Sequence, residues 1–257
     1  PVNPKHESIF GRRCYPSVLG YKGKLDLAII AIPAEFVPKI LEECGKKDIK
    51  SIIIISSGFS ETGNKKAEQE LIRISKKYSI RFIGTNCFGV CNPHSNLDLT
   101  FSASMPNKGN IAFISQSGAL WSYISDISLK EKFGFSSFVS LGNMDDLGFN
   151  EFIDYFSTDK NTSSLVLYIE KLKEGRRFME ICRNFSKKKK IFAVKGGSSP
   201  VGMEAEFSHT ASLASQYAIY KGAFRQAKIE LCESLLEAFE KAAGKTLIKR
   251  KKETLNI

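Results

Sequence analysis

The feature that most constrains this chain is an alternation. Apolar runs the length of one strand are separated by segments whose apolar residues recur at helical spacing. Leu25–Ile32 is an almost continuous β-branched and aliphatic run. Glu35–Lys47 follows, with Phe36, Ile40, Leu41 and Cys44 on one stripe and Gly45 near its end. Ser51–Ser56 is nearly all isoleucine, Ser57–Gly63 is a polar turn, and Asn64–Tyr78 carries Ala67, Leu71 and Ile74 on one face. Arg81–Ile83 is a short strand. Strands that carry no polar face are buried on both sides, and the helices joining them do the covering. The pattern predicts a doubly wound parallel sheet.

Asn86–Gly109, with Pro93, Pro106 and a Ser/Asn-rich stretch, breaks the rhythm and reads as a linker. The rhythm then restarts: strand Asn110–Ser115, a helix to about Lys132, strands Ser136–Leu141 and Ser164–Ile169, helix Glu174–Ser186 and strand Lys190–Val194. Gly196–Ser215 reads as a long Gly- and Ser-rich loop. Helices Gln216–Gln226 and Ser234–Ala243 flank a short strand near Ile229. Two tandem α/β units are expected, 1–97 and 98–245, with 246–257 a linker or tail.

Composition narrows the partners. A chain of 257 residues accommodates two such units, and 42% hydrophobic with 25% charged residues excludes disorder and fibrous classes. The longest apolar runs are strand-sized, so no membrane span is expected. The opening Pro-Val-Asn-Pro-Lys has no initiator Met or apolar signal core, and the chain is expected to begin within a domain. Six cysteines lack a paired framework, which fits a reducing cytoplasm. Cys87 and Cys91 have three residues between them and no second Cys/His pair, so no metal site is expected. The net charge of +11 calls for an anionic partner. Much of it lies in Lys187–Lys190, read as a solvated turn, and Lys249–Lys252. No nucleic-acid motif accompanies that charge, so nucleic acid is not the expected partner.

In doubly wound sheets, ligands collect at the carboxyl ends of strands. Four such ends stand out. Ile32-Pro33-Ala34 is either a proline stop or a shelf for a flat ligand. Ser56-Ser57-Gly58 is either a plain turn or a place where backbone N–H groups approach an anion. Ser115-Gln116-Ser117-Gly118-Ala119 opens a helix; it is either a serine cap or a phosphate cradle of unpaired N–H groups and helix dipole. His209, in Phe207-Ser208-His209-Thr210-Ala211, is either an ordinary surface or core histidine or a reactive imidazole. In the second case Glu170, ending the Ser164 strand, is the carboxylate that would fix its tautomer.

Taken in order, Ile-Pro-Ala (32–34), Ser-Ser-Gly-Phe-Ser-Glu (56–61), Gly-Thr-Asn-Cys-Phe-Gly (84–89), Gly-Asn-Ile-Ala-Phe-Ile-Ser-Gln-Ser-Gly-Ala-Leu (109–120), Val-Ser-Leu-Gly-Asn (139–143), Tyr-Ile-Glu (168–170), Gly-Arg-Arg-Phe-Met (175–179) and Ser-His-Thr-Ala-Ser-Leu-Ala (208–214) resemble the α part of the nucleoside-diphosphate-forming acyl-CoA synthetases. These are the ADP-forming acetate–CoA ligase branch of the succinyl-CoA synthetase superfamily. The resemblance covers about residues 1–245. It implies a Rossmann-like CoA-binding unit followed by a flavodoxin-like unit. His209 falls on the phosphorylated histidine, Glu170 on the carboxylate that orients it, and Ser115–Ala119 on the helix N-terminus that holds phosphate. Lys5, Ile32, Pro33, Ala34, Ser56, Ser57 and Gly58 fall on CoA contacts, and Asn86 and Cys87 near the thioester. Coenzyme A, acyl phosphate and phosphate are the implied ligands. ADP or ATP with Mg would bind an ATP-grasp β subunit or domain, in a hetero-oligomer or a fused longer chain. The same domains also occur as a non-catalytic acyl-CoA-binding module. The sequence departs from the family at Thr85, where proline is usual, and at Lys171, Ala211 and Ser215, where glycine is common. The family's first strand and Gly-rich turn are expected ahead of Pro1.

Overall fold

A computed structural model describes residues 1–196 and 210–247. The chain divides into two compact units, one of residues 1–89 and 140–148, the other of residues 90–139 and 149 onward. The dividing point falls at Gly89/Val90, ahead of the expected boundary at 97/98, and a short piece of the second half is counted with the first unit.

In the first unit, a hairpin of β1 (Ser8–Ile9) and β2 (Arg12–Arg13) precedes a three-stranded parallel sheet. Its strands are β3 (Leu27–Ile30), β4 (Ser51–Ile54) and β5 (Arg81–Gly84), in sequence order. Helix α1 (Val37–Lys46) is preceded by a 3-10 turn at Ala34–Phe36, and α2 (Lys65–Tyr78) starts from an Asn64 side chain that accepts the Ala67 N–H. Leu41, Cys44, Leu71 and Ile74 bring the two helix stripes onto Ile30, Ile52, Ile54 and Phe82. The β3 run is not buried on both faces as expected. Leu27 and Ile29 are 40% and 42% exposed, because they project from the face of β3 opposite the one on which Ala28 and Ile30 join the α1 and α2 stripes.

The second unit carries a seven-stranded sheet ordered β12-β11-β10-β8-β9-β6-β7. These strands are β6 (Gly89–Asn92), β7 (Leu97–Thr100), β8 (Lys108–Ser115), β9 (Phe135–Ser140), β10 (Ser164–Ile169), β11 (Lys190–Lys195) and β12 (Glu230–Leu231). β8, β10, β11 and β12 pair in parallel, whereas β6 pairs antiparallel with β9. The expected linker at Asn86–Gly109 therefore holds two strands. They read as a loop because Pro93, which starts a 3-10 turn, and an unpatterned polar stretch sit between them. Helices α3 (Ala119–Glu131), α4 (Phe149–Thr158), α5 (Gly175–Phe185), α6 (Thr210–Gln226) and α7 (Leu235–Ala243) complete the unit. α6 begins six residues before the expected Gln216. α4 was not expected, although Phe149, Ile153 and Phe156 form its buried stripe. The core is aromatic: Trp121 stacks on Phe138 at 4.0 Å between centroids, and Phe113 meets Phe239 at 5.1 Å.

Candidate functional site

The first unit brings three strand ends together, and Ser56 ties two of them. Its buried hydroxyl accepts the Ile32 N–H at 3.0 Å and faces the Ile30 carbonyl at 3.5 Å. The Ser56 carbonyl accepts the Asn86 N–H at 2.9 Å. Gly58, at φ +107°, approaches Ala34 so closely that a Cβ on it would lie 3.0 Å from the Ala34 Cβ. Ile32–Ala34, Ser56–Gly58 and Asn86 thus share one cluster. Asn86 itself is exposed at φ +54°, a conformation asparagine tolerates. Proline at 33 sits at the N-cap of the 3-10 turn, as a stop before the helix. Ser57 is exposed, and the buried Phe59 anchors the turn behind it.

Two expectations change here. The Gly58 and Phe59 N–H groups, suited to an incoming anion, already donate to Glu61 at 2.5 and 3.2 Å. Cys87 is turned inward and 4% exposed, with its thiol donating to the Ile54 carbonyl at 3.3 Å; burial pushes that thiol up to about 12. Lys5 is exposed, its N–H donating to Asn3 Oδ1 at 2.9 Å. No described hydrogen bond joins Lys5 to the cluster.

The second unit brings together the ends of β8, β10 and β11. Ser115 lies opposite Tyr168 in the β8–β10 register, and Tyr168 opposite Val194. Gln116 then closes the gap: its side-chain carbonyl accepts the Glu170 and Lys171 N–H groups at 2.6 and 2.9 Å. The Gly196 N–H donates to the Ile169 carbonyl at 2.8 Å. A Cβ on Gly196 would fall 2.8 Å from the Tyr168 hydroxyl and 3.2 Å from Glu170 Cγ, so a larger residue there would displace those side chains. Burial and then the Glu170 charge push the Tyr168 phenol up.

No serine caps α3. Its N-cap is Gly118, without a side-chain hydrogen bond, and the Ser115 hydroxyl donates instead to the Ser117 carbonyl at 2.7 Å. The first-turn N–H groups thus lack the side-chain acceptor that an N-cap residue supplies. Glu170 is exposed beside this turn. His209 lies outside the described residues, and with it the expected Glu170–His209 pairing. The basic turn is also less free than expected: Lys189 donates to the Phe156 and Asp159 carbonyls, each at 2.7 Å, and burial lowers its ammonium pKa. Among the described residues no three His, Cys, Asp or Glu side chains come together as metal ligands, and no helix is long and apolar enough to cross a membrane.

Sequence reasoning gave no role to Asn143, which closes the 139–143 motif, and did not single out Asp145. Asn143 lies 82 residues from Glu61, to which it donates, and no local pattern reveals such a contact. Gly196 carried a signal, a glycine at the end of a buried strand.

Parallel strands that end in glycine-containing turns define a protein of two α/β units, one Rossmann-like and one flavodoxin-like. Residues 108–244 match the succinyl-CoA ligase-like flavodoxin domain, and residues 1–93 match a CoA-binding domain. The chain belongs to the succinyl-CoA ligase-like flavodoxin domain family. It is 48% identical to the ADP-forming acetate–CoA ligase of Methanocaldococcus jannaschii, over 89% of this chain and 32% of that one. It is 44% identical to the alpha subunit of the ADP-forming acetate–CoA ligase II of Pyrococcus furiosus, over 96% of this chain and 54% of that one. A dinucleotide-forming acetyl-coenzyme A synthetase 1 from Ca. Korarchaeum cryptofilum, solved with phosphate and ADP, superposes with a TM-score of 0.86 at 38% identity, over 93% of this chain and 52% of that one. The chain thus spans between a third and about half the length of these relatives.

Proposed function

We propose that this chain is the α part of an ADP-forming acyl-CoA synthetase. It would interconvert acyl-CoA, ADP and phosphate with a carboxylic acid, ATP and CoA, by way of an acyl phosphate and a phosphohistidine. In this reading phosphate attacks the thioester carbonyl, CoA leaves as the thiol, and the acyl phosphate passes its phosphoryl group to His209 with release of the acid. The phosphohistidine then phosphorylates ADP, with Mg, on an ATP-grasp partner subunit or domain. The first cluster, with Ile32–Ala34, Ser56–Gly58, Asn86 and Lys5, would hold CoA. Cys87 would contribute shape rather than its thiol. Ser115–Ala119 would hold phosphate, and Glu170 would orient His209. The compartment would be the cytoplasm.

The observation that carries this is the Gln116 bridge. One side-chain carbonyl takes the Glu170 and Lys171 N–H groups and so ties the backbone of Glu170 to the turn that leads into the uncapped start of α3. Helix N-terminal N–H groups stabilise phosphoryl charge, and a nearby carboxylate raises the basicity of an imidazole. The enzyme assembled with its nucleotide-binding partner, incubated with labelled ATP and Mg²⁺, should acquire base-stable, acid-labile label. His209→Ala should abolish it. Label that persists in the variant removes His209 from the mechanism. CoA binding with no label under any condition would leave a non-catalytic acyl-CoA module.

A further inference from the structure

The turn after β4 is filled from within by a carboxylate. Glu61 Oε1 accepts the Gly58 N–H at 2.5 Å, and Oε2 accepts the Phe59 N–H at 3.2 Å. Two successive N–H groups aimed at one carboxylate form the kind of nest that elsewhere takes a free anion. Oε2 also accepts Asn143 Nδ2 at 2.6 Å. Asn143 is itself fixed: its Nδ2 donates to Thr85 Oγ1 at 2.9 Å, and its N–H donates to the Thr85 carbonyl at 2.9 Å. Thr85 in turn donates its N–H and hydroxyl to Asp145 Oδ2 at 3.0 and 2.8 Å. Gly142 permits the approach, at φ +56° with the Thr85 carbonyl where a Cβ would be. Burial raises the Glu61 pKa, but the donors from Gly58, Asn143 and Phe59 outweigh it and leave the carboxyl below its ordinary range. The group is charged at neutral pH.

We propose that Glu61 and Asn143 are positioning residues for CoA: the carboxylate, gripped by Asn143, holds the Ser56–Gly58 turn against Ala34 and beside Asn86. The inference rests on the reading of that cluster as the CoA cradle. The Gly58 and Phe59 N–H groups are spent on Glu61, so CoA is met by the exposed Ser57 and Asn86 and by the Pro33–Ala34 surface.

The test uses the assembled enzyme and CoA itself. Binding is measured by calorimetry, and KM for CoA is measured separately from kcat, for wild type, Glu61→Gln, Asn143→Ala and the double variant. Each single change should raise Kd and KM for CoA about tenfold, while kcat at saturating CoA stays within about twofold. The double variant should be no worse than either single one, because both changes break the same link. Labelling from ATP should match wild type. Wild-type affinity in both single variants overturns the proposal. So does a parallel loss of labelling, melting temperature and kcat, which would mark general damage to the fold. If Glu61→Gln does not fold, Asn143→Ala alone decides, since its side chain lies outside the turn. A wild-type enzyme that fails to bind CoA defeats the CoA reading as well; wild-type binding with unaltered variants defeats only the positioning role.

Discussion

Gln116 shows how much one side chain can organise. Its carbonyl serves two N–H groups on the neighbouring strand end, while its own N–H donates to the Tyr168 carbonyl at 3.3 Å. Replacing it by leucine keeps most of the volume and removes the acceptor. Two backbone donors then depend on water, at a cost of about 1–2 kcal/mol. The urea midpoint of Gln116→Leu should fall accordingly, and label on the assembled enzyme should drop with it. An unchanged midpoint would mean that the bridge contributes nothing to stability. The cysteines make a second residue-scale case. All six are free and buried. Burial raises Cys44 to about 11 and Cys87, Cys91 and Cys232 to about 12, against an ordinary value of 9.0. The unfolded chain therefore releases thiol protons first as pH rises. The contribution of the neutral thiols to stability is complete below about pH 9 and is lost progressively towards pH 12. Melting temperature should decline over that range, and a thiol reagent at pH 8 should label the chain only in denaturant. Rapid labelling of the native chain would contradict the burial.

At the scale of elements, the packing of α1 on α2 depends on a glycine inside a helix. A Cβ on Gly45 would run into Tyr78 Cγ, with Tyr78 Cβ and Cδ2 crowding beside it. Alanine gains roughly 1 kcal/mol of helix propensity over glycine. Overpacking against an aromatic ring costs about 1–3 kcal/mol, so the steric term wins. Gly45→Ala should lower the melting temperature, whereas a neutral or stabilising outcome would mean that Tyr78 swings aside freely. This glycine also marks what was legible in the sequence. The apolar stripe of α2, the Leu41 and Cys44 part of the α1 stripe and the isoleucine run of β4 are local patterns that the structure bears out, whereas Phe36, expected on the α1 stripe, lies in the preceding 3-10 turn and is 52% exposed. β8 and β10 are legible for the same reason: buried centrally, they carry unbroken apolar runs. β6 and β7 are not, because their four-residue segments, with Gly89, Asn92, Asp98 and Thr100, hold no apolar run and adjoin Pro93 and its 3-10 turn. The exposure of Leu27 and Ile29 depends on what covers each face of the sheet, and no local run encodes that. Of the candidate sites, the strand ends were readable as small, polar breaks after apolar runs. The bonds that fill them, from Glu61, Gln116 and Asn143, join residues far apart in sequence and become visible only in the folded chain.

At the scale of the molecule, the order of units along the chain is not the order of folding units. Residues 140–148 are sequentially part of the second half and structurally part of the first. They run alongside β5: the Asp145 N–H donates to the Gly84 carbonyl at 3.0 Å and the Leu147 N–H to the Phe82 carbonyl at 3.2 Å. Asp146 accepts the Phe82 N–H at 2.8 Å and pairs with Arg81 at 2.9 Å, its side chain only 22% exposed. β5 thus takes from this segment the partners that a further strand would otherwise supply, and an edge strand without partners leaves its N–H and carbonyl groups unpaired. A fragment of residues 1–97 includes β3, β4 and β5 but lacks the segment. It should melt at a lower temperature and with less cooperativity than the first unit does within the whole chain, followed by amide exchange on β5. A peptide of residues 140–148 added in trans should restore protection at Phe82 and Thr85, whose N–H groups the Asp146 and Asp145 carboxylates accept. A peptide with Asp145→Asn and Asp146→Asn should do so weakly. Full protection of β5 in the fragment alone would show that the first unit closes without this piece of the second half.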